Sequence, residues 1–289
     1  MQSGLVLEGG SLRCLFTAGV LDIFMEAGIS FPYVIGVSAG ALSGLNYLSQ
    51  QPRRTAQINI DYVKDSRYLS MRNLVKEGHS IFNFDFLFGE LSEELIPFDR
   101  ETFDHSPVRF VAVSTDCRTG KPLYHEKGKS EDILLAARAS SSMPLLAPMV
   151  HVDGAECLDG GITVSVPYRR ALEEGCEKLV VVLTRQAGYR KRPPRKAMQA
   201  VYERFYRRYP RLVQALLSME EAYNRDHAEL EELERQGKLL VIRPEAPVTV
   251  SRVEKNTEKL EDLYTAGRRV AYRRLEEVRR YLELPEPQE

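Results

Sequence analysis

The 289-residue sequence has almost no charge imbalance, since 40 lysines and arginines face 41 aspartates and glutamates. No global field therefore draws in nucleic acid or an anionic surface, and any such attraction has to be local. Cysteine is scarce: Cys14, Cys117, Cys157 and Cys176 lie far apart, with no CxxC pair and no histidine-rich cluster of the kind that holds zinc. They read as reduced thiols of a cytosolic protein, and neither metal nor cofactor is expected. Met1 to Gly10 has no basic n-region and already carries Glu8, so it does not read as a secretory signal, and a cytoplasmic location is expected. Long apolar runs are missing as well. The uncharged stretch 27–52 spaces Gly36, Gly40 and Gly44 like a membrane-helix dimer face. Yet it also holds Pro32, Asn46, Gln50, Gln51 and four serines, and so falls short of the roughly 20 predominantly apolar residues a span requires. No Ser/Gly-rich or Pro-rich linker, internal repeat or low-complexity tract divides the chain.

What is present is material for a large core, with 43% hydrophobic and 28% charged residues. Gly4 to Leu7 reads as a buried strand, followed by Glu8-Gly9-Gly10-Ser11 and a helix from Leu12 to Ala27 that Gly28 stops. Tyr33 to Val37 is a second strand leading through Ser38 into a small-residue helix to about Leu48. Two strand-turn-helix units in 50 residues predict a parallel sheet covered on both faces. A helical excursion follows, with a dense aromatic patch at Phe82 to Phe88. Arg109 to Thr115 and Pro122 to His125 read as a hairpin, Ser130-Glu131-Asp132 opens a helix, and Asp153-Gly154 turns another hairpin that ends at Asp159. Pro167 is placed at a helix N1 position, Gly175 at its C-cap, and Lys178 to Thr184 in a strand. Beyond Arg185 the chain is charged and helical to about Gln236. Leu239 to Ile242 is a strand, Glu254 to Leu282 a last helix, and 285–289 a disordered tail. The expected fold class is a three-layer α/β/α architecture with a mostly parallel central sheet. Residues 1–184 form its core, and 185–289 form a mostly helical region completing the same domain.

Three short segments carry the chemistry. Gly36-Val37-Ser38-Ala39-Gly40 follows a strand and opens a helix, the setting of a nucleophile elbow, where flanking glycines leave room for a sharp turn that exposes the serine. Taken alone, the pentapeptide could equally be a glycine-rich helix start. A serine nucleophile needs preorganised N–H donors for the developing oxyanion. Gly9 and Gly10, between a strand and a helix N-terminus, can supply them, and Arg13 one turn later adds positive charge. The same segment lacks the glycines of G-x-G-x-x-G, and no Gly-x-x-x-x-Gly-Lys occurs, so nucleotide binding is not favoured. The base is harder to find. Of His79, His105, His125, His151 and His227, only His227 follows Asp159, and it lies in a charge-dense helix that reads as a solvated face. Asp159 offers another solution, because Gly160 and Gly161 leave it on a sharp turn at a strand end, where a partly desolvated carboxylate can approach the serine directly. A simple turn is the plain alternative for Asp-Gly-Gly.

Glu8 to Arg13, Gly36 to Gly40 and Asp159-Gly160-Gly161, with the linking Arg138-Ala139-Ser140-Ser141-Ser142-Met143-Pro144, together resemble the patatin-like phospholipase family, bacterial members in particular, over residues 4–184. The resemblance implies a modified α/β-hydrolase-like sheet and a Ser-Asp dyad with Ser38 as nucleophile and Asp159 as base. It implies lipid acyl ester hydrolysis without metal, of phospholipase A or lysophospholipase type. One segment departs: where the family's loop has its second and third glycines, this chain has Ser11 and Cys14. Ser11 is tolerable there if its φ is negative, and an oxyanion hole of Gly9, Gly10, Ser11 and Arg13 is expected.

A lipid ester substrate needs an apolar pocket, for which Phe82 to Phe88 and Met143 to Met149 are the candidate walls, although such residues are ordinarily core. Between Arg185 and Leu212 ten basic residues meet a single acid, Glu203, with Val201, Phe205, Tyr209 and Leu212 as an apolar stripe. The segment 185–212 is thus a candidate for peripheral membrane contact, or else its charge is balanced internally by the acidic stretch 220–234. Nucleic acid is not an expected partner. Two other functional readings remain: a catalytically weak, lipid-binding regulator of the same fold, and a thioesterase or general carboxylesterase.

Overall fold

A computed structural model describes residues 2–76 and 80–285. Its strands are β1 Gln2–Leu7, β2 Tyr33–Val37, β3 Arg109–Asp116, β4 Lys121–Glu126, β5 Val150–Val152, β6 Ala155–Asp159, β7 Cys176–Val182 and β8 Leu240–Ile242. The first half of the chain supplies helices α1 Cys14–Glu26, α2 Ala39–Leu48, α3 Arg54–Asp61, α4 Asn73–Lys76, α5 Phe84–Phe88 and α6 Arg100–His105. The second half supplies α7 Ile133–Ser140, α8 Tyr168–Glu173, α9 Lys196–Phe205, α10 Pro210–Arg235, α11 Thr257–Arg273 and α12 Leu275–Leu282.

The strands form one mixed sheet in the order β5-β6-β3-β2-β1-β7-β8, with β4 also paired to β3. β3, β2, β1, β7 and β8 run parallel, and the hairpins β3-β4 and β5-β6 make an antiparallel margin. Parallel strands carry crossover helices on both faces, so both faces are apolar. Leu5, Leu7, Val34, Val180 and Val182 enter the core that α1, α2, α7 and α11 cover, while Val6, Ile35, Val37 and Val181 pack with Tyr168 and Ala171 of α8 and Leu230 of α10. The expected three-layer α/β/α class is the observed one, with more antiparallel pairing than a mostly parallel sheet implies. The extra pairing comes from the two short hairpins and from β6 running antiparallel to β3; the β5-β6 turn is encoded locally, since Asp153 and Gly154 both have positive φ, as a two-residue hairpin turn demands.

Several boundaries moved for local reasons. Pro167 caps α8 one residue before the helix rather than opening it, and Gly175 follows with φ +87°. The last helical stretch is two helices, interrupted at Arg274, and Pro210 starts α10 afresh after α9. Of the expected tail, 286–289 lie outside the described residues.

The register of β3 positions the site. Its edge toward β2 is filled as far as Val37, which pairs with Val113; the next residue on β3, Ser114, pairs with Asp159 of the antiparallel β6. β4 occupies the opposite edge of β3 over the same residues. β2 and β6 therefore meet end to end along one edge of β3, which brings the residue after Val37 against the residue that ends β6.

Candidate active site

Ser38 follows β2 with φ +54° and ψ −129°, a combination that costs a residue with a side chain about 1–3 kcal/mol and persists only when its surroundings impose it. They do. The Ser38 carbonyl accepts from the N–H groups of Ala41 and Leu42 at 2.8 and 3.2 Å, and its own N–H donates to Ser140 Oγ at 2.8 Å. Ser140 Oγ in turn donates to the Val113 carbonyl at 2.6 Å, so the end of α7 clamps the turn to β3. No larger residue fits at either flank: a Cβ on Gly36 would stand 2.7 Å from the Gly40 carbonyl oxygen, and one on Gly40 2.6 Å from that of Leu7.

Ser38 Oγ donates to Asp159 Oδ2 at 2.7 Å, and the Gly161 N–H donates to Asp159 Oδ1 at 2.7 Å. The Asp159 backbone is fixed from both sides, its N–H donating to the Ser142 carbonyl at 2.8 Å and its carbonyl accepting from Thr115 Oγ1 at 3.0 Å. The two side chains are nearly enclosed, Ser38 8% and Asp159 7% exposed. Burial pushes the Asp159 carboxyl above the usual carboxylate range, opposed by the Ser38 hydroxyl, the Gly161 N–H and the charges of Arg252 and Lys191. Ser140 and Ser142, whose backbone and hydroxyl contacts position the pair, carry no chemistry that their sequence alone announces. A run of serines at a helix end beside Met143-Pro144 was their only signal.

The glycine loop after β1 lies against this pair. A Cβ on Gly9 would stand 3.1 Å from Ser38 Cβ. The Gly9 N–H is itself engaged, donating to the Ser165 carbonyl at 3.4 Å, while among the described residues the N–H groups of Gly10 and Ser11 meet no protein acceptor. Of the expected hole, the unengaged donors are therefore Gly10 and Ser11 rather than Gly9, at the start of the 3₁₀ turn Ser11–Arg13 that runs into α1. The condition set for Ser11 is not met: its φ is +50°. It holds the left-handed shape a glycine would adopt freely, at a cost of about 1–2 kcal/mol. Its hydroxyl partly offsets this by donating to the Arg252 carbonyl at 2.7 Å. The Arg13 guanidinium is buried with Nε unpartnered, and its pKa falls to about 10 through burial and repulsion from Arg185 and Arg252.

A model of the patatin-like phospholipase family matches residues 5–172, more than half of the chain. The chain belongs to that family. A second model, a domain of unknown function (DUF6363), matches 209–283. The uncharacterized protein YjjU of Escherichia coli strain K12 is 32% identical over 188 residues, covering 62% of this chain and 51% of YjjU. The lysophospholipase nte1 of Aspergillus terreus is 27% identical over 180 residues, 58% of this chain and 11% of that protein. The chain thus spans about half or less of the length of these relatives. Among solved structures, VipD from Legionella pneumophila aligns over 96% of this chain and 67% of its own, with 14% identity and a TM-score of 0.49.

In this patatin-like chain none of the four described histidines is bonded to Ser38 or Asp159. His227 is not on a solvated face; it is buried, with Nε2 3.2 Å from Glu8 Oε1 and its ring stacked on Tyr223 at 4.0 Å. Charge density along α10 hid a buried stripe of Tyr223, His227 and Leu230 at helical spacing. His125 joins a second serine and aspartate, with Nε2 2.7 Å from Ser114 Oγ and Nδ1 2.5 Å from Asp153 Oδ2. That line resembles a catalytic triad, but Ser114 is wholly buried and no ester could reach it, so the contact ties β4 and the Asp153 turn to β3. His105 caps its own helix through the Glu101 carbonyl, His151 is exposed, and His79 lies outside the described residues. Among the described residues no group of three or more histidines, cysteines, aspartates and glutamates converges to hold a metal ion.

Two cavities share Ser11, Ser38 and Met143 as wall residues. One, about 420 Å³, is mostly apolar and runs between α2, α3 and α5, with Leu42, Ile58, Phe82, Phe84, Phe88 and Met143 among its walls. The aromatic patch and Met143 thus take the place anticipated for them. The other, about 440 Å³, is lined about equally by polar and apolar surface and carries Arg13, Arg185, Lys191, Arg192 and Arg252.

Proposed function

We propose that this chain is a serine acyl hydrolase that cleaves lipid carboxylic esters, of phospholipase A or lysophospholipase type, through a Ser38–Asp159 dyad and an acyl-enzyme. The observation that carries the reading is the 2.7 Å hydrogen bond from the strained Ser38 to the buried Asp159 at the mouth of an apolar cavity. As Ser38 Oγ bonds to the ester carbonyl carbon, Asp159 takes its proton. The carbonyl oxygen, now anionic, is stabilised by the Gly10 and Ser11 N–H groups and the adjoining helix N-terminus. Collapse expels the alcohol, which leaves with the proton from Asp159, and the acyl chain remains on Ser38. Water, deprotonated by Asp159, then attacks the acyl carbonyl; as that intermediate collapses the bond to Ser38 Oγ breaks, Asp159 returns the proton to Ser38, and the fatty acid is released. A carboxylate is a weak base in water, and desolvation at Asp159 favours the proton transfer this sequence needs. On this reading Gly36, Gly40, Gly160 and Gly161 shape the two turns, and Arg13 adds positive charge near the oxyanion.

We assign the catalytic core to 1–184 and take 185–289 to complete the same domain, a division supported by β8 pairing with β7 and by α11 packing on α1. Peripheral contact with an anionic membrane in the cytoplasm is supported by α9, which buries none of its residues and exposes Met198, Val201 and Phe205 beside Arg195, Lys196 and Arg204. No helix among the described residues is long and apolar enough to cross a membrane. The test is a digest of total phospholipid extract by the purified chain and by Asp159→Asn. Release of free fatty acid by the wild type and a loss of about 10³-fold or more in the variant are expected. Equal release by the two proteins overturns the dyad. A wild type that binds lipid without releasing fatty acid points instead to a regulator of the same fold.

A further inference from the structure

The glycine loop after β1 is tied at its start to residues far along the chain. Glu8, which precedes Gly9, is 1% exposed, and its two carboxylate oxygens have different partners. Oε2 accepts from the Thr184 N–H at 2.5 Å and from the Thr184 hydroxyl at 2.9 Å, while Oε1 lies 3.2 Å from His227 Nε2. Burial by itself would raise the Glu8 carboxyl, but the His227 and Thr184 donors outweigh it and hold it below the usual carboxylate range. An ionised carboxylate only accepts, so His227 carries its proton on Nε2 and donates. Burial and stacking on Tyr223 hold the ring in that direction. Thr184 passes the restraint to the loop. Its hydroxyl also lies 3.2 Å from the Gly9 carbonyl oxygen, so one proton is shared between Glu8 and Gly9, and a Cβ on Gly10 would stand 2.8 Å from the same hydroxyl. In a planar trans peptide the C=O and the following N–H point to opposite sides. A Gly9 carbonyl turned to Thr184 therefore sends the Gly10 N–H the other way, where it meets no protein acceptor among the described residues.

We infer that Glu8, Thr184 and His227 are positioning residues of the oxyanion hole: together they fix the Gly9-Gly10 peptide so that the Gly10 N–H stays unengaged and aimed at the developing oxyanion. The inference rests on the hydrolase reading above and adds to it residues that do not touch the substrate. It also gives the region 209–283 a task. His227 lies in α10 within that region, Glu8 lies in 5–172, and Thr184 lies between the two. Without His227, Glu8 Oε1 would be buried with no hydrogen bond, a state relieved only by protonating or swinging the carboxyl, and either change loosens Thr184. The far end of the loop contributes less, because the bond from the Ser11 hydroxyl to the Arg252 carbonyl is solvent-exposed.

Glu8 is also a counter-charge to Arg13 and Lys191, so replacing it changes the field of the site as well as its shape, and the test leaves it in place. kcat and KM are measured on p-nitrophenyl butyrate for the wild type, Thr184→Val, Thr184→Ser, His227→Leu and His227→Gln. Each kcat is divided by the fraction of the protein that a fluorophosphonate finally labels, so that misfolded molecules do not count. Thr184→Val and His227→Leu are expected to lower kcat at least about tenfold with KM within about twofold, because a misaimed N–H fails the transition state and not the bound ester. Serine and glutamine, which restore the hydroxyl and the N–H donor, are expected to recover most of the rate. Equal kcat across the set, a loss that falls on KM, or no recovery by serine and glutamine overturns the positioning role. Hydrogen exchange reads the loop without turnover. The amides of Gly9 and Arg13, bonded to the Ser165 and Gly10 carbonyls, are expected to exchange at least about tenfold faster in Thr184→Val and His227→Leu than in the wild type. If they do so while the wild type neither cleaves ester nor takes the label, the restraint on the loop stands and the hydrolase reading falls. If the wild type cleaves ester and neither exchange nor kcat moves in the variants, the hydrolase reading stands and the positioning role falls.

Discussion

Among single residues, Asp159 is a carboxylate kept where it is costly to ionise. Asp159 must be charged to accept the Ser38 proton, and burial opposes that charge, so its pKa lies above the ordinary value near 4. Activity is therefore lost as pH falls through this raised pKa. The acid limb of kcat/KM is expected above the usual carboxylate range, and a limb at or below 4 contradicts it. The same burial means that ionised Asp159 costs stability. Asp159→Asn is expected to keep or raise the Tm while removing turnover; a marked fall in Tm shows that the residue is structural. Ser11 poses a separate question. Glycine there relieves about 1–2 kcal/mol of backbone strain and gives up one solvent-exposed hydrogen bond near the low end of about 0.5–1.5 kcal/mol. Ser11→Gly is thus expected to be no less stable and at least as active as the wild type. A tenfold loss of activity shows instead that the tether to Arg252 shapes the loop.

At the scale of elements, much was readable and some was not. Gly36 to Gly40 and Asp159 to Gly161 announce two sharp turns because only glycine fits their flanks, and Asp153-Gly154 announces a hairpin by the φ it needs. What brings the turns together, β2 and β6 abutting along one edge of β3, depends on strand register between segments over 100 residues apart, which no local pattern encodes. The buried stripe of α10 was masked by charge on its other faces, and the φ of Ser11 could not be known from its neighbours. The aromatic segment Phe82 to Phe88 was legible as a candidate pocket wall, but the helices α2 and α3 that complete that pocket were not. If that cavity holds the acyl chain, Leu42→Trp shortens it. In a p-nitrophenyl ester series the long-chain members are expected to lose at least tenfold in kcat/KM while the acetyl ester changes little, and equal losses across the series contradict the assignment.

At the scale of the whole molecule, the C-terminal helices are bound to the sheet through a crossing without side chains. Gly19 of α1 and Gly267 of α11 let the two backbones touch, a Cβ on Gly267 standing 2.1 Å from the Phe16 carbonyl oxygen. Asp22 fastens the same crossing, accepting from the Tyr264 hydroxyl at 2.6 Å and the Arg53 N–H at 2.8 Å. Gly267→Leu is expected to destabilise the entire chain by at least about 2 kcal/mol, in a single thermal transition that includes the catalytic half; a separate melting of 185–289 contradicts the one-domain assignment. The proposed chemistry begins at Ser38. The direct measurement is covalent labelling by a fluorophosphonate with the modified peptide identified by mass spectrometry. A single adduct on Ser38, absent in Ser38→Ala and strongly slowed in Asp159→Asn, is the predicted result. An unlabelled wild type, or an adduct on any other serine, contradicts it.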